Sequence, residues 1–362
     1  MKRKNRILAF LALAQLMVVL DATIVNIALP SAQADLGFGD DDRQWVITAY
    51  ALAFGSLLLL GGRLADYFGR KRTLIAGLIG FAGASALGGL APNFEVLVGA
   101  RALQGMFGAL LAPSALSTLT TTFTGKSERA RAFGVYGAIA GAGGAVGLLL
   151  GGFLTEYLDW RWTMFVNVAF AIPAAAGLAS LLVNESRETK PRMDFPGAIT
   201  ASIGLFAIVF GFSRAESEGW TAVITLLSLS VGTLLLVLFV MVERRSAAPL
   251  LPLRVLADRN RAGSYLAVGV AGASMFGVFL FLTYYLQQTQ GMSPVETGLA
   301  FLPMIAFLMV GSAVSSTRLM PKFGPRPLVP TGMVLAATGM VLLTGVGVDS
   351  SYAGSVLPGL CF

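Results

Sequence analysis

The sequence predicts an all-α integral membrane protein, and three observations predict it. Of the 362 residues, 56% are hydrophobic and 12% charged, with a mean hydropathy of +0.75. A water-soluble domain carries about 25% charged residues, so this chain has too little polar surface to cover a globule and must take lipid as its solvent. Apolar runs recur from end to end, each close to the ~20 residues that a helix needs to cross a bilayer. Finally, the basic residues are held to alternate loops, so the net charge of +7 reports orientation in a membrane rather than affinity for nucleic acid.

In order, the apolar runs are 7–30, 45–62, 73–90, 94–122, 132–155, 163–183, 195–212, 220–242, 262–286, 298–317 and 328–348. A twelfth, 351–362, would reach only about 18 Å as a helix, short of the ~30 Å hydrocarbon core. Lys2, Arg3, Lys4 and Arg6 before the first run resemble the start of a secretory signal, and Ala32-Gln33-Ala34 resembles a cleavage site. The run is too long for a signal, contains Asp21 and is followed by many others, so it is expected as a retained first helix.

Positive-inside bias orients these helices. Alternate loops hold Lys2, Arg3, Lys4 and Arg6; Arg63, Arg70, Lys71 and Arg72; Lys126, Arg129 and Arg131; Arg187, Lys190 and Arg192; Arg244, Arg245, Arg254, Arg259 and Arg261; and Arg318, Lys322 and Arg326. The intervening loops hold only Arg43, Arg161 and Arg214. The N-terminus is therefore expected in the cytoplasm and the chain in the cell (inner) membrane. Trp45, Trp160, Trp162 and Trp220 all fall at the predicted outer boundary, where an aromatic belt would place them.

One basic loop is repeated. Arg63-Leu64-Ala65-Asp66-Tyr67-Phe68-Gly69-Arg70-Lys71 recurs in degraded form as Arg318-Leu319-Met320-Pro321-Lys322-Phe323-Gly324-Pro325-Arg326. Parallel repeats of this kind predict two similar helical bundles with a pathway between them. The chain has no histidine, which removes the commonest general base and zinc ligand, and its one cysteine, Cys361, cannot form an intrachain disulfide. An enzyme is not expected, and no metal or organic cofactor is.

The loop Gly61-Gly62-Arg63-Leu64-Ala65-Asp66-Tyr67-Phe68-Gly69-Arg70-Lys71-Arg72 has glycines for a tight turn and Asp66 to hold a helix N-terminus or a basic partner. Together with Leu20-Asp21-Ala22-Thr23-Ile24-Val25-Asn26-Ile27-Ala28-Leu29-Pro30, Arg101-Ala102-Leu103-Gln104-Gly105, Gln44-Trp45-Val46 and Trp160-Arg161-Trp162, it resembles the major facilitator superfamily, in its fourteen-helix drug/proton antiporter branch. Gly134, Gly143, Gly147, Gly151 and Gly152 fall at that branch's antiporter-motif positions, although Leu148 stands where the motif has proline.

The resemblance implies a major-facilitator-type two-bundle transporter whose second bundle is incomplete. Residues 1–190 would form a six-helix bundle, 191–245 two extra helices, and 246–362 a truncated C-terminal bundle. It implies proton-coupled efflux of small lipophilic or cationic compounds by alternating access, with the proton as coupling ion and a monomer in the bilayer. Gly62, Arg63, Asp66, Gly69, Arg70 and Lys71 would form a cytoplasmic gating loop, and the chain ends before the helix against which that loop docks in the family.

Asp21 is the acidic residue deepest in an apolar run. A charge there costs about 3 kcal/mol, so an intramembrane carboxylate usually faces a cavity or a partner. It is the candidate proton carrier, with Arg101 tuning it, although structural hydrogen bonding would also account for both. Tyr50, Phe54, Phe107, Tyr136, Tyr284, Tyr285 and Gln288 are candidate substrate contacts, and Asn26 and Gln104 join Tyr50 and Tyr136 in the candidate substrate cavity. The alternative is a non-transporting fragment that acts at most as a membrane binding or assembly partner.

Overall fold

The computed structural model describes residues 2–183, 194–246, 249–251, 253–348 and 350–362, and among them every regular element is helical. Arg187, Lys190, Arg192 and the predicted boundary near residue 190 lie outside these residues. The helices are α1 (Lys2–Leu36), α2 (Asp40–Phe68), α3 (Arg70–Gly89), α4 (Phe94–Thr122), α5 (Lys126–Tyr157), α6 (Trp162–Leu181), α7 (Phe195–Glu218) and α8 (Val223–Arg245). After the short α9 (Arg254–Ala257) come α10 (Arg259–Tyr284), α11 (Pro294–Ala300), α12 (Leu302–Val314), α13 (Met320–Phe323), α14 (Pro325–Leu343) and α15 (Leu357–Leu360). Ten helices among the described residues are long and apolar enough to cross a membrane. The chain is a multi-pass membrane protein.

Lipid offers no partner to a peptide group, so every spanning segment must satisfy its own backbone, and the helix does that. The helices overrun the apolar runs because that logic continues into the headgroup region: α2 begins at Asp40, whose carboxylate meets the Arg43 guanidinium at 3.2 Å. Several other helix starts are capped by side chains. Asn93 accepts from the Val96 amide at 3.0 Å, Asp258 from the Arg261 amide at 3.0 Å, and Ser293 and Glu296 form a reciprocal capping box before α11.

The turn between α2 and α3 corrects one expectation. Gly61 and Gly62 are not part of it; both lie inside α2, and the chain reverses at Gly69 alone. Gly69 has φ 93° and ψ 139°, a region that side chains exclude. Gly61 has a different use: a Cβ there would strike the Ala109 carbonyl of α4. In the degraded repeat, Gly324 (φ 72°, ψ 177°) makes the same kind of break between α13 and α14.

The chain divides into two compact units. The first comprises residues 1–18, 32–139 and 164–256. Its core is built from Leu11, Met17, Leu74, Leu78, Phe81, Leu111, Leu119 and Leu178, all fully or almost fully buried. α4 is its central helix, pressed against α2 at Gly61 and Gly105 and against α3 at Gly77 and Gly80. The α7–α8 pair packs on α2, where Trp45 lies 6.0 Å from Phe210 and the Arg214 guanidinium sits over both rings.

The second unit comprises residues 19–31, 140–163 and 257–362. Ile27, Leu148, Phe279, Leu286, Phe301, Ile305, Val356 and Leu360 form its core, with Phe279 and Phe301 rings 5.2 Å apart. The last apolar run folds as a π-type turn, Tyr352–Val356, followed by α15. It is held by the Tyr352 hydroxyl, which donates to the Ala300 carbonyl at 2.7 Å, and by Gly339, which lies against the Gly359 carbonyl.

Candidate functional site

The first unit carries a buried polar chain across α2, α3 and α4. Arg101 and Gln104 lie three residues apart on α4 and so share one face with Gly105 and Gly108. Arg101 is 2% exposed. Its Nε donates to the Val46 carbonyl at 3.1 Å, Nη1 donates to Gln104 Oε1 at 2.8 Å, and the guanidinium lies 4.4 Å over the Tyr50 ring. Gln104 Nε2 in turn donates to Ser85 Oγ of α3 at 2.7 Å. A carbonyl, an amide oxygen and an aromatic face thus share one buried charge, the arrangement by which a helix bundle tolerates a guanidinium.

The close approach of α2 that places Val46 and Tyr50 here depends on Gly105, because a Cβ would run into the Tyr50 carbonyl. The Tyr50 ring also stacks on Phe54 at 5.8 Å. Tyr136, by contrast, is half-buried against the apolar core of the unit. Ser85 was not predicted, since a serine in an Ala/Gly-rich helix carries no period that marks it as an acceptor.

Asp21 and Asn26 belong to the second unit. The Asp21 side chain is completely buried, and Asn26 is 1% exposed. Asn26 Nδ2 is buried and has no hydrogen-bond partner among the described residues. Between these two residues on α1, Thr23 and Ile24 receive the glycine face of α5. Gly147 lies against Thr23, and a Cβ on Gly151 would come within 2.8 Å of Ile24.

Gly152 lies against the start of α11 at Pro294, and Gly298 of α11 approaches the Leu148 carbonyl. Gly143 is buried as well. Leu148, at the position of the motif proline, is fully buried in the core beside Ile27 and Phe301, inside an uninterrupted helix. The predicted site residues thus form two groups, Tyr50, Arg101, Gln104 and Tyr136 in the first unit, and Asp21, Asn26, Gly143, Gly147, Gly151 and Gly152 in the second.

The gating-loop residues make contacts of their own within the first unit. The Arg63 guanidinium donates to the Pro249 carbonyl, and Lys71 Nζ donates to the Leu182 carbonyl at 2.6 Å. Asp66 and Arg70 are half-buried. The Pro249 segment is fixed from its other side by Glu243, a buried carboxylate that accepts from the Leu250 amide at 3.0 Å and the Leu251 amide at 2.9 Å. Arg63 and Glu243 therefore clasp the same stretch of backbone, which ties the loop to the segment leaving α8.

Glu243 was also not predicted. Its signal is a carboxylate in the last turn of a helix, where the dipole disfavours it and a tertiary partner must compensate. Glu243→Ala is expected to release the 249–251 segment. Each hydrogen bond to a charged group is worth about 1.5–3 kcal/mol, and 1.4 kcal/mol is tenfold, so tryptic cleavage after Arg244 and Arg245 should quicken about tenfold or more. An unchanged cleavage rate in detergent-solubilised protein would refute the clasp.

Comparison with known proteins extends this picture. A sequence model described as Major Facilitator Superfamily matches residues 11–362. The chain is 53% identical over 347 residues to the puromycin resistance protein of Streptomyces alboniger, covering 95% of this chain and 69% of that protein. It is 40% identical over 348 residues to the cephamycin export protein of Amycolatopsis lactamdurans, covering 95% and 71%. It is 36% identical over 342 residues to the tetracenomycin C resistance and export protein of Streptomyces glaucescens, covering 94% and 63%.

Among solved structures, the peptide transporter POT in complex with sulfate aligns with a TM-score of 0.68 at 15% identity, covering 99% of this chain and 80% of that one. A bacterial homolog of the human lysosomal transporter Spinster, inward-facing and unoccupied, aligns with a TM-score of 0.62 at 16% identity, covering 99% and 72%. At these identities the likeness is one of fold.

Proposed function

Because the chain belongs to the Major Facilitator Superfamily, we propose that it is an efflux transporter that exchanges inward-moving protons for small lipophilic or cationic compounds. The observation that carries the export reading is the 53% identity, along nearly the whole chain, to a protein named for puromycin resistance. Puromycin is therefore the first compound to test. The relatives named for export of cephamycin and tetracenomycin C support the same direction of transport.

In this reading the N-terminus is cytoplasmic, the membrane is the cell membrane, and the transporter alternates between inward- and outward-open states. Asp21 carries the proton, and Asn26 offers its open amide to the compound. Proton and compound each favour a different gate state, so that binding one disfavours binding the other. Arg101, held by Val46, Gln104 and Tyr50, keeps α2 and α4 in register while the gates move.

Everted vesicles from cells producing this chain test the proposal. Puromycin uptake into the vesicles is expected when a proton gradient, acid inside, is imposed, and it should collapse with a protonophore. Uptake that is equal with and without the gradient would disprove proton coupling; no uptake of puromycin or of the other relatives' compounds would disprove export.

A further inference from the structure

At the end of α5 that positive-inside bias places outside the membrane, Glu156 reaches across to another helix. Its Oε2 accepts from the Val295 amide at 3.0 Å, in the first turn of α11. Both residues belong to the second unit. The amides at the start of α11 show what this contact supplies. Pro294 has no N–H. The Ser293 amide donates to the Glu296 carboxylate at 2.8 Å, and the Glu296 amide to Ser293 Oγ at 3.2 Å. The Thr297 amide donates to the Ser293 carbonyl at 2.9 Å. The segment thus satisfies its own amides except that of Val295, which α5 satisfies for it.

Leu148, Gly152 and Glu156 are spaced four apart and so form one stripe along α5. Every member of the stripe meets α11. A Cβ on Gly152 would come 2.5 Å from the Pro294 carbonyl oxygen, and one on Gly298 would come 2.9 Å from the Leu148 carbonyl oxygen. At these two points the helices touch backbone to backbone, as small residues allow. Helices that meet through glycine have no side chains to disengage there, so they can part as rigid bodies. The Glu156 bond is the directional link that holds the stripe in register.

We propose that Glu156 is a positioning residue for transport: it latches α5 to α11 in the state closed to the outside. The transporter must release this latch to open outward. The inference rests on the alternating-state reading given above and assigns one residue to the outer closure. Glu156 is exposed, so water replaces the Val295 amide when the bond breaks. A buried carboxylate could not be released at so small a cost.

Thr297 of α11 reports the contact, because it is fully buried two residues past Val295. Thr297→Cys is made in the full chain carrying Cys361→Ser, and its labelling by a membrane-impermeant maleimide is timed on intact cells and on everted vesicles. With Glu156 in place, labelling on cells should be slow. Glu156→Ala should quicken it at least about threefold, the effect of losing one solvent-exposed bond to a charged group. Gly152→Ala wedges the helices apart with the carboxylate still present, and should do likewise. Glu156→Gln keeps an uncharged acceptor and should fall between.

Two further variants separate a latch from a merely structural role. Ser293→Ala breaks the cap of α11 without touching α5. Glu128→Ala removes a carboxylate at the opposite end of α5, where it meets Lys4 Nζ at 2.6 Å. Neither should quicken labelling to the level of Glu156→Ala. No change in Glu156→Ala, an equal rise in Ser293→Ala or Glu128→Ala, or a rise in vesicles but not on cells would overturn the proposal. Labelling needs no transported compound, so a failure of puromycin to move would refute export without altering this result.

Discussion

Asp21→Asn is expected to abolish proton-driven efflux while the protein still inserts at normal levels. Asparagine keeps the size of the side chain and can hydrogen-bond across helices, so the packing of the fully buried position survives. What it cannot do is bind and release a proton. A ligand shifts a conformational equilibrium only by its differential affinity for the two states; without a titratable group at this site, the gradient has nothing to act on there. Gradient-driven puromycin uptake should therefore fall to that of membranes lacking the chain, while energy-independent exchange of labelled for unlabelled compound persists. Asp21→Glu should retain part of the coupled activity. Normal gradient-driven uptake by Asp21→Asn would remove Asp21 from the mechanism; loss of exchange as well would make its role structural.

The second large effect is expected at Gly105. A side chain there meets the carbonyl oxygen of Tyr50, a backbone atom that no rotamer change can move. α2 and α4 must separate, and the Arg101 bond to the Val46 carbonyl spans that same interface. Overpacking alone costs about 1–3 kcal/mol, and a buried donor left unmatched about as much again. Gly105→Val should thus lower stability by about 3 kcal/mol or more, seen as a large drop in the thermal midpoint in detergent. Gly83→Ala and Gly99→Ala are the counterparts: nothing lies within 4 Å of a Cβ at either, so each should gain up to about 1 kcal/mol from helix propensity. Equal behaviour of all three variants would refute packing as the reason for glycine at 105.

The sequence revealed the helices because lipid imposes one rule on every spanning segment: an apolar surface and a backbone that satisfies itself. The 94–122 run coincides with α4 for that reason. Helix ends were less legible, since hydropathy marks contact with hydrocarbon and not the helix that continues beyond it, as at Asp40 and Phe68. Arg101 and Gln104 could be paired from their spacing on one helix. The Val46 carbonyl, Ser85 and the Glu243 clasp could not, because each joins elements far apart in the chain through groups that leave no periodic trace. The glycines of the signature loop were recognised together, but they have two separate uses: Gly69 bends the chain, whereas Gly61 admits a neighbouring helix.

Gly69 and Gly324 open a view of the molecule's ancestry. If one gene segment was doubled to make both halves, the copies have since parted company at two of the four charged positions of the first: proline stands at 321 opposite Asp66 and at 325 opposite Arg70. The backbone fold-back at the shared glycine was kept in both. Electrostatics at these corners was free to drift; the reversal of direction was not, because a chain that fails to turn there sends its next helix the wrong way through the bilayer.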